Sequence, residues 1–397
     1  MSTPTTVVVQ PSSDNVISLS ERNTSEQDVV QKSPLIGMTV GELTHVMKSL
    51  GEPAFRAKQV HHWMYVKNAR TFDAMANVSR ATQQKLTEKY QVGVLKLLDK
   101  QVSSDGTAKY LFQTPSGQTI ESVLMYFDDR DTYSICMSSQ VGCAVDCQFC
   151  ATGKLGFKQQ LSVAEIVDQY LFVQADCGKD IRNIVMMGQG EPLLNYDNVL
   201  SAIRILNKDA EVGIRHITIS TSGIIPKINQ LAEEGLQLVL AVSLHAPDDE
   251  TRQKIMPINK KWPVADLMDS LHRYVGKTNR RVTIEYILLK GVNDTEAHAH
   301  RLGQLLKPLK CNVNLIPYNP IGEQYGFERP SDKAILSFMQ TVMEYGKKVT
   351  TRVERGTDIA AACGQLANQY AQKQKAQGKG NGTKKGSGYA SKPSPSS

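Results

Sequence analysis

Six apolar runs, set about 30 residues apart with helix-forming segments between them, constrain this chain more than any other feature of its sequence. They are YSICMS (133–138), RNIVMMG (182–188), HITIS (216–220), LQLVLAVS (236–243), RVTIEYILL (281–289) and NVNLIPY (312–318). A strand with one wet face alternates polar with apolar residues, whereas most of these runs are apolar nearly throughout, as suits parallel strands covered on both faces. The stretches between them carry helix starts, among them a capping box of Ser162 with Glu165. A strand, its crossover helix and the next parallel strand need about this length of chain. The alternation therefore predicts an α/β fold, an open parallel (β/α)6 partial barrel over residues 133–356.

Ahead of the barrel, Thr39 with Glu42 is a second capping box, Gly51 and Pro53 punctuate, and a further run ends at Trp63. Residues 35–92 read as a small helical domain. Residues 93–132 read as a β connection with turn signals at Asp105-Gly106 and Ser116-Gly117. A short cysteine-bearing segment, 357–370, follows the barrel. Residues 1–34 and 371–397 lack periodicity and are rich in small and polar residues, so disorder is expected at both ends.

With 41% hydrophobic and 21% charged residues, the 397-residue chain has a globular composition rather than a fibrous one. No stretch approaches the roughly 18 apolar residues of a membrane span, and MSTPTTVVVQ has no basic residue before its apolar part. A cytoplasmic protein without a membrane partner is expected. Seven cysteines, an odd number, argue for reduced thiols engaged in chemistry or metal binding rather than a disulfide framework. The net charge of +7 hints at a polyanion, but Lys373, Lys375, Lys379, Lys384, Lys385 and Lys392 in the tail account for nearly all of it. Charge alone establishes no RNA partner.

Three cysteines, Cys143, Cys147 and Cys150, stand as C-x3-C-x2-C on one loop directly after the first run. Thiolates hold iron-sulfur clusters, and three of them on a four-iron cube leave one iron without a protein ligand. An open iron can take the amino and carboxylate groups of S-adenosylmethionine and deliver an electron that breaks a carbon–sulfur bond. Zinc is the plainer alternative, but it usually asks for four ligands in paired C-x2-C units, and no second pair lies nearby.

With Phe149 before its last cysteine, this spacing resembles the signature of radical S-adenosylmethionine enzymes. After the second run, Gly188-Gln189-Gly190-Glu191-Pro192 is similar to their GGEP stretch, with Gln189 departing from it. In that superfamily, backbone and carboxylate groups at this stretch receive the methionine amino group. Gly190 and Glu191, with Ser220, the Ser243-Leu244-His245 stretch and Asn319 at later strand ends, are therefore the expected cofactor contacts.

Taken together, SSQVGCAVDCQFCATG, MGQGEPLLN, STSGIIP, SLHAP, LIPYNP and RGTDIAAACGQLA resemble the RlmN/Cfr family of adenosine methyltransferases, from about residue 36 to residue 370. The resemblance implies one 4Fe-4S cluster on Cys143, Cys147 and Cys150, and two S-adenosylmethionine molecules per turnover. It further implies methyl transfer through S-methylated Cys363, and release when Cys136 attacks that sulfur to form a disulfide. Glu121 matches the family's proposed proton acceptor. The implied partners are adenosine 2503 of 23S rRNA, adenosine 37 of certain tRNAs, and an electron donor such as flavodoxin or ferredoxin. On the helical segment, Lys58, His61, His62, Trp63 and Lys67 offer charge and a stacking ring for RNA. The motifs do not separate methylation at C2 from Cfr-like methylation at C8, with C2 preferred on the CGQLA context. A non-catalytic iron-sulfur or zinc protein that binds RNA or senses redox state is the reading from a different class.

Overall fold

The computed structural model describes residues 32–366, so the disorder expected at 371–397, lysine tail included, and all but the last three residues of that expected at 1–34 lie outside the described residues. Ten strands, β1–β10 in chain order, are Lys96–Val102, Ala108–Gln113, Thr119–Phe127, Thr132–Cys136, Ile181–Met186, Ile217–Thr221, Val239–Ser243, Val282–Leu288, Cys311–Pro317 and Lys348–Thr351. They form one sheet in strictly sequential order, antiparallel from β1 to β4 and parallel from β4 to β10.

Sequential parallel order has a steric consequence. Right-handed crossovers between successive neighbours all place their helices on the same face, leaving the other face to curve around a lumen. Ile135, Ile184, Ile219, Leu240, Ile284 and Val313 point to the helix side and are buried with Ile166, Val199, Leu267 and Leu302 in one core. Each such burial contributes about 1.5–3 kcal/mol. Cys136, Ser220 and Glu285, one position along, and Ser243, three along from Leu240, belong to the opposite face.

All six expected strands are present. Two features go beyond them. β10 adds a seventh parallel strand after the helix Asp332–Glu344. The β connection is part of the same sheet, with β1–β3 continuing it through β4. At the start of the described chain, Ser33–Pro34 pairs in parallel with Tyr90–Gln91, so regular structure begins ahead of residue 35.

The helical segment consists of Val40–Ser49, Phe55–Tyr65 and Arg80–Lys89. The Thr39/Glu42 and Ser162/Glu165 capping boxes both form. Among the described residues no helix is long and apolar enough to cross a membrane.

Candidate active site

Beyond β4, Gln140–Val141 pairs antiparallel with Gln159–Gln160. Gly142 then takes φ 70°, and a Cβ there would lie 1.8 Å from the carbonyl oxygen of Gly156, so the closure requires glycine. The N–H of Cys143 donates to that same oxygen (3.2 Å), and the N–H of Cys150 donates to Cys147 O (3.1 Å). Gln148 pins the loop to the barrel through its N–H on Ile255 O (2.9 Å). Phe149 meets the His245 ring edge to face, with 4.9 Å between centroids. The aromatic residue before the last cysteine thus seats the loop on the strand ends.

The three thiols line one cavity of about 160 Å³ with Gly190, Glu191, Ser220, Ser243 and His245. Burial pushes the Cys143 thiol up to about 12 and raises Cys147 and Cys150 as well, with the neighbouring thiols adding to the shift. Such a triad is costly as bare thiolates and suited to a cationic cluster that displaces its protons. Among the described residues no three His, Cys, Asp or Glu side chains converge on a single-ion site.

Glu191 is buried, and its carboxylate accepts the N–H groups of Leu193 (3.0 Å) and Ser222 (2.6 Å); burial raises its pKa and these bonds oppose the rise. Ser222 Oγ, on the same cavity, is buried without a hydrogen-bond partner among the described residues. An unsatisfied hydroxyl there suits a polar ligand. His245 has φ 60°, and its Nδ1 accepts the N–H of Ile287 (3.0 Å). Burial, helped by Arg252, depresses its pKa to about 3, so the ring is neutral with its proton on Nε2. The Leu244 side chain packs in the main core, and its backbone joins the strand-end network, the N–H donating to Glu285 O (3.1 Å) and the carbonyl accepting Arg252 Nε (3.0 Å).

Cys363 follows β10 on a segment docked at two places. Gly364 O accepts the N–H of Ala151 (2.8 Å) and Leu366 O accepts Thr152 Oγ1 (2.6 Å), just beyond Cys150. Asn319 Nδ2 donates to Cys363 O (3.3 Å). Cys363 lines the cluster cavity and also a second cavity, of about 60 Å³, that holds Cys136 and Asn319. Asn319 therefore sits with the cysteine pair rather than beside Gly190 and Glu191. The Cys136 thiol is pushed up to about 12, chiefly by burial, with Cys363 adding and Arg352 opposing. Both thiols are free.

Comparison with known proteins gives this geometry a family. The Radical SAM superfamily matches residues 137–302, and the ribosomal RNA large subunit methyltransferase N-terminal domain matches 34–92. A probable dual-specificity RNA methyltransferase RlmN of Thermotoga maritima is 46% identical over 335 residues, covering 84% of this chain and 96% of that protein. Its counterpart in Alkaliphilus oremlandii is 43% identical over 346 residues, covering 86% and 100%. The chain belongs to the RlmN family.

A radical SAM methyltransferase from Sphaerobacter thermophilus, solved as a crystal structure, is 42% identical and superposes with a TM-score of 0.80 over 84% of this chain and 99% of that one. In this RlmN-family chain β1–β3 fall between the two matched regions, and they carry Glu121. That residue is buried on β3, with Oε1 3.4 Å from Lys109 Nζ and Oε2 3.5 Å from Gln189 Nε2. It shares a strand face with Val123 and Met125, which line the Cys136 cavity, without lining it itself. On the RlmN-type helical segment Lys58, His62 and Lys67 are exposed. His61 Nε2 instead lies 3.4 Å from Asp209 Oδ1, and Trp63 packs against the core with its Nε1 on Asn77 Oδ1 (2.5 Å).

Sequence reasoning missed three charged residues of the site. Arg252 is fully buried and donates to Ser222 O (2.6 Å), Ser243 O (3.3 Å) and Leu244 O (3.0 Å), tying two strand ends together. Glu285 is buried on the cavity wall and accepts Asn314 Nδ2 (2.7 Å). Arg352, just past β10, lines both cavities and contacts Met187 Sδ (3.3 Å). A lone carboxylate within RVTIEYILL was the available signal for Glu285, since buried charge needs a role or a partner.

Proposed function

We propose that this RlmN-family enzyme methylates C2 of an unstacked adenine in RNA, with Cys363 as methyl carrier and Cys136 as resolving thiol. The observation that carries the reading is the position of Cys363, which borders the cavity of the cluster cysteines on one side and that of Cys136 on the other. The names of the curated relatives support RNA as substrate, and adenosine 2503 of 23S rRNA and adenosine 37 of tRNAs are the proposed targets.

The donor set fits one four-iron cube on Cys143, Cys147 and Cys150, with S-adenosylmethionine held by Gly190, Glu191, Ser220, Ser243 and the Nε2–H of His245. Bound there, they supply methyl groups and one-electron chemistry, two S-adenosylmethionine molecules per turnover, with electrons from a flavodoxin or ferredoxin. C2 of adenine has no lone pair with which to attack a sulfonium, so a carrier must bring the methyl carbon to it. Cys363 holds that carbon at sulfur. Glu121 takes the ring proton, and Cys136 attacks the sulfur of Cys363, closing a disulfide as the carbon–sulfur bond breaks and the departing carbon takes up a proton to become the methyl group. The base enters extruded from its stack, at a cost of a few kcal/mol.

Peptide mass spectrometry of the purified, cluster-loaded protein tests this directly. A methyl group on Cys363 is expected, and its absence after incubation with S-adenosylmethionine and reductant overturns the carrier role. Mass mapping of the modified nucleoside distinguishes C2 from C8.

A further inference from the structure

Beneath the segment that carries Cys363 lies a lysine for which the mechanism above has no use. Lys109, on β2, is 6% exposed, although lysine is rarely buried unless paired. Its Nζ donates to Ile359 O (2.6 Å) and Ala360 O (3.2 Å), and lies 3.4 Å from Oε1 of Glu121. Three partners match the three protons of an ammonium group. Two belong to the turn that delivers Cys363, where Ala360 adopts φ 51°, and the third is the carboxylate read as proton acceptor. The register sets Lys109 opposite Val123, making Glu121 its diagonal neighbour on β3.

We propose that Lys109 is a positioning residue that ties the carboxylate of Glu121 to the Cys363 segment, holding base and methyl carrier in register with one another. The inference rests on the roles given above to Glu121 and Cys363. Once Glu121 is protonated, the ion pair loses its negative partner and the lysine is left to the two carbonyls alone. The tie then slackens at the stage when Cys136 must reach the sulfur of Cys363.

A second tether separates coupling from simple anchorage. Asp358 accepts Ser103 Oγ (2.6 Å) and the N–H of Ser104 (3.2 Å), fixing the same segment to the turn between β1 and β2 through partners other than Glu121. The test compares Lys109→Met, Lys109→Arg, Asp358→Asn and Glu121→Gln as full-length, cluster-loaded proteins with a transcribed 23S rRNA fragment. Lys109→Met is expected to keep wild-type iron content and methyl on Cys363. It should lose product formation by about tenfold to a hundredfold, within what a general base contributes, and accumulate a covalent protein–RNA species. Lys109→Arg recovers part of the turnover, and Asp358→Asn accumulates no such species. The inference is overturned if Lys109→Met turns over like wild type, or loses iron and methyl with no covalent species, or if Asp358→Asn traps the adduct equally. Full turnover by Glu121→Gln defeats the underlying assignment of the base, whereas a fully active Lys109→Met beside a trapped Glu121→Gln defeats the lysine inference alone.

Discussion

Arg70 of the helical segment places its guanidinium on the carboxylate of Asp168, a fully buried side chain on the crossover helix Val163–Cys177. The same carboxylate accepts the N–H groups of Val94 (2.7 Å) and Leu95 (2.8 Å), so one side chain locks helices, β connection and barrel together. Asp168→Ala leaves a cation and two amides without their acceptor. A loss of about 3–5 kcal/mol is expected from breaking such a pair. An unchanged urea midpoint for the variant would contradict this account of how the helical segment docks.

His245 gives the fold an acid-sensitive element. Its folded pKa is about 3 against an ordinary value of 6.5, so the unfolded chain takes up the proton first as pH falls. This contribution to stability is full above about pH 6.5 and is lost progressively between there and about pH 3. His245→Asn keeps an acceptor for the Ile287 N–H and tolerates the left-handed backbone, but does not titrate. Urea titrations of the variant across that window should show a shallower decline than wild type, and parallel declines would remove His245 as the cause.

Gly142 shapes the turn that presents Cys143 without being one of the three thiols. Any side chain there meets Gly156 O and a positive φ, so Gly142→Ala must open the turn that presents Cys143. Iron and sulfide content after anaerobic reconstitution should fall well below wild type while far-ultraviolet circular dichroism is retained. A fully loaded Gly142→Ala protein would show that the loop forms by another route.

Cys136 is protonated at neutral pH, since burial pushes its thiol up to about 12. If its thiolate resolves the adduct, release should quicken by about tenfold per pH unit between about pH 7 and pH 9. Cys136→Ala should trap the protein–RNA species at every pH. Arg352→Met removes the one charge that eases ionisation of Cys136, and should slow release throughout the range. Time courses on denaturing gels read both, and a pH-independent rate speaks against thiolate attack.

The parallel core was legible because strands covered on both faces leave long apolar runs, and capping boxes at Thr39 and Ser162 mark helix starts whatever the tertiary context. β10 was not legible. Its sequence, KVTT, is mostly exposed at the sheet edge and holds one apolar residue, so neither period nor hydrophobicity announces it. Arg352 was lost with it, being a site residue only because that strand aims it at Met187. The cluster loop could be read from spacing, because local geometry brings its cysteines together. Asn319 could be placed at a strand end, but its contact with Cys363 joins segments 44 residues apart and leaves no local mark. Lys109 is buried by carbonyls about 250 residues away and Arg252 by the ends of two neighbouring strands, and nothing in their surrounding residues distinguishes them from solvated charges.

The turn at Asp105-Gly106 looks like the natural spot for an epitope tag or a fluorescent insertion, being exposed, glycine-bearing and outside both matched regions. Ser103, Ser104 and Asp105 nevertheless moor Asp358 and Gly356, on the way to Cys363. Inserted sequence would be tolerated by the sheet and felt at the sulfur, yielding a folded protein in which Cys363, the proposed methyl carrier, is misplaced. Engineering of this scaffold should treat that hairpin tip as part of its chemistry.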